Sequence, residues 1–136
     1  MIDLCARGRT RSRQELSADW RTAFETVPRA EFIPETVWVE GDGGVLVSLR
    51  RTRDPQRWCE LAYADDAVMT QVDDGQPAPD GTGRWIFNSA SMPTVVAQML
   101  AHCAAAPGQR VLEIGTGTGY TALRDALRTT RAQRRG

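Results

Sequence analysis

The sequence contains no lysine, so all 17 of its basic side chains are arginine. Catalysis through a lysine Schiff base or a lysine general base is therefore excluded. Histidine is nearly absent too. His102 stands alone late in a helical stretch, where a solvent-facing or helix-terminal role is expected rather than a catalytic one. The three cysteines, Cys5, Cys59 and Cys103, are spread along the chain. That spacing offers neither a zinc knuckle nor a disulfide framework, so no metal is expected and a reducing cytoplasm is the expected compartment. No apolar run approaches the ~18 residues of a membrane span, and the first residues lack a signal-peptide core, so neither a membrane nor secretion is indicated. Acidic and basic side chains balance at 17 each, which gives no reason to expect a nucleic-acid partner. Arginines crowd both ends (Arg7, Arg9, Arg11, Arg13; Arg124, Arg128, Arg131, Arg134, Arg135), and both clusters read as solvated termini.

What remains has the composition of a folded protein, with 41% hydrophobic and 25% charged residues. Ser12 and Glu15 have capping-box spacing, and Leu16, Trp20, Phe24 and Val27 follow at helical intervals until Pro28 stops the run. Val37 to Val39 and Val45 to Leu49 flank Gly41-Asp42-Gly43-Gly44, which reads as a β-hairpin. Asp54-Pro55 caps a short helix that buries Trp58, Leu61 and Ala62 and ends near Asp65 and Asp66. A strand is expected over Val68 to Val72. Asp73 to Gly83, rich in glycine, proline and aspartate, reads as an exposed loop. Pro93 opens a helix with Val96, Met99, Leu100 and Cys103 on one face, closed by Pro107-Gly108.

Arg110 to Ile114 (RVLEI) is then expected as a parallel strand running into Gly115-Thr116-Gly117-Thr118-Gly119. Residues without a β-carbon let the backbone turn sharply and approach a ligand, with amides at the next helix start facing it. A dinucleotide loop wants GxGxxG, but here Tyr120 follows the third glycine, so nicotinamide and flavin are disfavoured. The competing reading is a plain strand-to-helix turn. Val111 to Tyr120 (VLEIGTGTGY) looks like the cofactor loop of an S-adenosylmethionine-dependent methyltransferase. Glu113 then has two compatible roles: accepting a hydrogen bond from the cofactor's ammonium group, or bracing the loop.

Four islands in order, Val27-Pro28-Arg29, Phe32-Ile33-Pro34, Ser91-Met92-Pro93 and Val111 to Tyr120, resemble the protein-L-isoaspartate O-methyltransferase family, in its actinobacterial form. Tyr63-Ala64-Asp65 also resembles that family's approach to its substrate loop. The resemblance implies methyl transfer from S-adenosyl-L-methionine to the carboxylate of an isoaspartyl or aspartyl-type residue in a protein or peptide, the ester then collapsing to a succinimide. It implies that Glu113, Gly115, Thr116, Gly117, Thr118, Gly119 and Tyr120 hold the cofactor, and that Ser91 holds the substrate carboxylate. Ser91 also fits a helix N-cap, two residues before Pro93. Asn88-Ser89-Ala90 departs from the threonine- or serine-rich stretch of the family, so substrate choice is expected to differ. The nucleophile is already an anion and the donor a sulfonium, so alignment matters more than a general base.

The expected fold is α/β: an N-terminal α+β region over residues 1–107, then, over 108–136, the first strand and helix of a Rossmann-like methyltransferase domain. After Tyr120 the ribose-binding acid of such a domain is missing, and Thr129 to Gly136 cannot form a buried strand. The expectation is thus a C-terminally truncated methyltransferase that does not turn over alone. The alternative is a non-catalytic module that only binds, and a simple glycine-loop nucleotide binder is a third choice.

Overall fold

The structure is a computed structural model, and it describes residues 22, 24–104 and 109–122. The helix read from Ser12 and both arginine clusters lie outside those residues, apart from helical Thr22 and Phe24 to Thr26.

A five-stranded antiparallel sheet organises the chain. Its strands are β1 (Thr36–Glu40), β2 (Leu46–Arg50), β3 (Val68–Val72), β4 (Thr82–Gly83) and β5 (Ile86–Ala90), in the order β4-β2-β1-β3-β5. The hairpin expected around the glycine turn is β1–β2, paired from Thr36 with Arg50 to Glu40 with Leu46. Gly43 (φ 70°) and Gly44 (φ 76°) take left-handed backbone there, which only glycine adopts without cost. Helix α1 (Pro55–Tyr63) starts where Asp54 accepts the Arg57 amide at 2.9 Å, with Pro55 in the first turn. It stops at Ala64, slightly before the expected Asp65.

Period-two alternation assigns the two sheet faces. Val37 joins Ile33, Trp58, Ala62, Val68 and Ala90 in the core beneath α1, and its neighbour Trp38 packs with Leu46 and Val72 on the opposite face. Trp58 anchors the first cluster at 1% exposure. Its indole N–H donates to the Pro34 carbonyl at 3.0 Å, and the Arg51 guanidinium lies 4.8 Å from its ring centre. Cys59, at the edge of this cluster, is disulfide-bonded, whereas the cysteine spacing suggested no such framework; Cys103 is a free, exposed thiol.

Two further expectations are corrected, and one strand is new. In helix α2 (Pro93–Cys103) the buried face is Pro93, Val96, Ala97 and Leu100, with Met99 and Cys103 outside it, and the helix ends at left-handed Ala104. Strand β5 has no counterpart in the sequence reading. Its pairing with β3 shifts register between Met69 and Val72, so the inside-outside alternation is broken. Finally, Arg110 to Ile114 forms no strand: it is irregular and pairs with none of the five strands, with Leu112 84% and Ile114 88% exposed. A strand of a parallel sheet is covered on both faces, and here Leu112 and Ile114 are left uncovered. The mixed helix-and-sheet character is as expected.

Candidate functional site

The glycine loop begins where this segment turns. Gly115, Gly117 and Gly119 all have positive φ (77°, 58° and 83°), so each holds a conformation that other residues rarely adopt. The Gly119 amide donates to the Thr116 carbonyl at 3.0 Å, closing the turn, and a helical turn starts at Tyr120. A β-carbon added at Gly115 or Gly119 would meet nothing within 4 Å, so open space lies beside the loop there. At Gly117 the same atom would sit 3.5 Å from Asn88 Oδ1 and 3.9 Å from the Ser89 carbonyl. The loop therefore lies directly against β5, two to three residues before Ser91. Thr116 is exposed and Thr118 half-buried.

Two side chains fix that placement or respond to it. Tyr120 is 7% exposed, and its ring centre is 5.5 Å from that of Phe32, in a tilted arrangement typical of aromatic pairs. The second and fourth sequence islands thus meet in a ring contact. Glu113 is half-buried, and its Oε2 is shielded from solvent without a hydrogen-bond partner. A buried acceptor left unpaired is costly, and a cationic donor would relieve that cost. The loop glycines and this oxygen suit a ligand that carries an ammonium group.

Ser91 is exposed, immediately beyond β5. It is not the N-cap of α2: that position is Met92, which makes no side-chain cap bond. The capping function belongs to Asp65, whose Oδ1 accepts the Thr94 amide at 2.9 Å while Oδ2 accepts the Thr94 hydroxyl. The Tyr63-Ala64-Asp65 element therefore reaches the serine turn through the helix that follows it.

Arg29, in the 3-10 turn Arg29–Phe32, is the charged residue buried among the described residues, at 3% exposure. Its Nη1 donates to the carbonyls of Ala62 (3.1 Å) and Ala64 (3.1 Å). Its Nη2 donates to those of Asp66 (3.0 Å), Ala90 (3.1 Å) and Ser91 (2.9 Å). Burial lowers its pKa to about 10, against the opposing pull of the Asp65 and Asp66 carboxylates, so it remains a cation at neutral pH. The sequence reading quoted this arginine within an island and gave it no role. The available signal was an arginine directly after Val-Pro, in a stretch rich in apolar residues. His102 is exposed, with Nδ1 2.7 Å from the Gln98 carbonyl on its own helix, the solvent-facing position expected of it.

No cluster of three or more potential metal ligands occurs among the described residues, and no helix among them is long and apolar enough to cross a membrane.

Comparison with known proteins bears on the same residues. The family model for protein-L-isoaspartate(D-aspartate) O-methyltransferase matches residues 46–128. A protein-L-isoaspartate O-methyltransferase 2 of Anaeromyxobacter sp. (strain Fw109-5) is 41% identical over 68 residues, 50% of this chain and 22% of its own length. A protein-L-isoaspartate O-methyltransferase of Methylorubrum extorquens (strain PA1) is 41% identical over 61 residues, 45% of this chain and 25% of its own. A protein-L-isoaspartate O-methyltransferase 1 of Rhodopseudomonas palustris (strain HaA2) is 33% identical over 117 residues, covering 82% of this chain and 42% of its own length. The chain thus spans about a quarter of the first two relatives and less than half of the third. No solved structure matches it significantly. The matched stretch, more than half of the chain, includes the glycine loop, Ser91 and the Asp65 cap, and on that match the chain belongs to the protein-L-isoaspartate(D-aspartate) O-methyltransferase family.

Proposed function

We propose that the chain carries the substrate-side turn and the opening cofactor loop of an isoaspartyl methyltransferase, which transfers a methyl group from S-adenosyl-L-methionine to an isoaspartyl carboxylate in a protein or peptide. The observation that supports this reading is the closeness of Gly117 to β5, where a β-carbon on it would meet Asn88 Oδ1 at 3.5 Å and the Ser89 carbonyl at 3.9 Å, so the glycine loop runs beside the strand end that leads into Ser91. In this reading residues 1–107 form the substrate-side region and residues 108–136 open the cofactor domain. Gly115, Thr116, Gly117, Thr118 and Gly119 line the cofactor with backbone, Tyr120 fixes the loop on Phe32, and Glu113 accepts from the ammonium group. Ser91 holds the substrate carboxylate. The bound cofactor supplies a sulfonium methyl. The residues around it supply alignment and desolvation, and no proton need be removed from a carboxylate that is already ionised.

Calorimetric titration with S-adenosylhomocysteine tests the cofactor half. Micromolar affinity, about −8 kcal/mol, is expected, and Gly117→Val should abolish it, because a β-branched residue disfavours the left-handed backbone found there. Binding that survives in Gly117→Val would sink the site assignment. Methyl transfer to an isoaspartyl peptide tests the other half. A second reading, binding without turnover, is favoured by the exposure of Leu112 and Ile114, and binding of the homocysteine without methyl transfer would select it.

A further inference from the structure

The Arg29 guanidinium gathers five carbonyls from two distant stretches: Ala62, Ala64 and Asp66 around the end of α1, and Ala90 and Ser91 where the chain leaves β5. The β3–β5 ladder ends with Val68 opposite Ala90, so the Ser91 carbonyl lies past the last ladder pair. Pro93 has no amide to offer nearby, and Met92 caps nothing with its side chain. Arg29 takes up that carbonyl at 2.9 Å. Asp65 lies between two of the residues whose carbonyls Arg29 holds, and it fixes Thr94 on the far side of Ser91. The serine turn is therefore clamped at both ends by one short segment, and Arg29 joins the two.

We propose that Arg29 is a positioning residue for Ser91, its planar guanidinium fixing the serine turn relative to the cofactor loop so that an isoaspartyl carboxylate is held in line. The proposal rests on Ser91 being the substrate-side serine. A lysine keeps the charge but offers three donors from a single nitrogen, which cannot span carbonyls on two separate stretches.

The test uses the full chain with Arg29→Lys, Ser91→Ala and the double variant. Arg29→Lys is expected to raise KM for an isoaspartyl peptide about tenfold or more while S-adenosylhomocysteine affinity stays within about twofold. In the Ser91→Ala background the lysine should add nothing further, because both changes act through one group. Peptide KM unchanged by Arg29→Lys would overturn the proposal, as would additive effects in the double variant. Amide exchange supplies a readout independent of turnover. Arg29→Lys should accelerate exchange at Thr94 and Val96 and leave the β1–β2 hairpin protected. If the unaltered chain neither methylates nor binds the peptide, the functional reading fails by itself. Exchange then still decides the clamp: retained protection at Thr94 and Val96 in Arg29→Lys overturns it, and selective loss supports it.

Discussion

The sheet with α1 and the glycine-loop segment use similar residues to opposite effect. Val37, Val68 and Val72 are almost wholly buried, whereas Val111, Leu112 and Ile114, in a run no less apolar, face solvent. The strands of the first region find antiparallel neighbours within a short stretch of chain. Among the described residues the second region meets the first through the Tyr120 ring on Phe32, and Gly117 lies beside β5. Apolar residues stabilise only where other groups cover them, so equal hydrophobicity gives a core in one place and an open edge in the other.

The contrast can be broken by measurement. Trp58→Ala should carry the largest effect, about 3–5 kcal/mol of stability by chemical denaturation, because it empties the centre of the core and leaves the Pro34 carbonyl unpaired. A loss below that of a surface change would mean that the α1 cluster is not the core. Gly83→Ala comes next, at about 1–3 kcal/mol. Its new β-carbon would fall 2.4 Å from Cγ2 of Val72, which is itself fully buried and cannot yield. Leu112→Ser should be the smallest, within about 0.5 kcal/mol in the same assay, as for other exposed positions. A large destabilisation at Leu112 would show that the segment is covered in solution and erase the distinction between the two regions.

How much of this was legible beforehand follows the same division. The hairpin, the Asp54-Pro55 helix start, β3 and the start of α2 rest on caps, turns and short-range periodicity, and each appears where those signals put it. Strand β5 was hidden because Ile86 and Phe87 are both exposed and the register shift destroys the alternation a strand normally shows. The Arg110–Ile114 strand failed for the converse reason. Its apolar run is clear, but a parallel strand needs lateral partners that local sequence does not specify. In the candidate site, the glycine loop and Ser91 stand as candidates on their motifs. The role of Arg29 could not be read in that way, since carbonyls carry no residue identity and its acceptors are known only once the chain has folded. Asp65 was visible as part of an island, yet its capping of Thr94 is equally a tertiary fact.

The Arg29 fan also has a consequence for the order in which the chain assembles. Its acceptors lie 33 to 62 positions away in sequence, on an α-helix terminus and a strand end that have no local reason to meet. Closing such loops is entropically slow, and the full set of bonds exists only once β5 has docked against β3. A set of bonds that closes after the folding barrier slows unfolding more than it speeds folding, so Arg29→Lys is expected to raise the unfolding rate and leave the folding rate nearly unchanged.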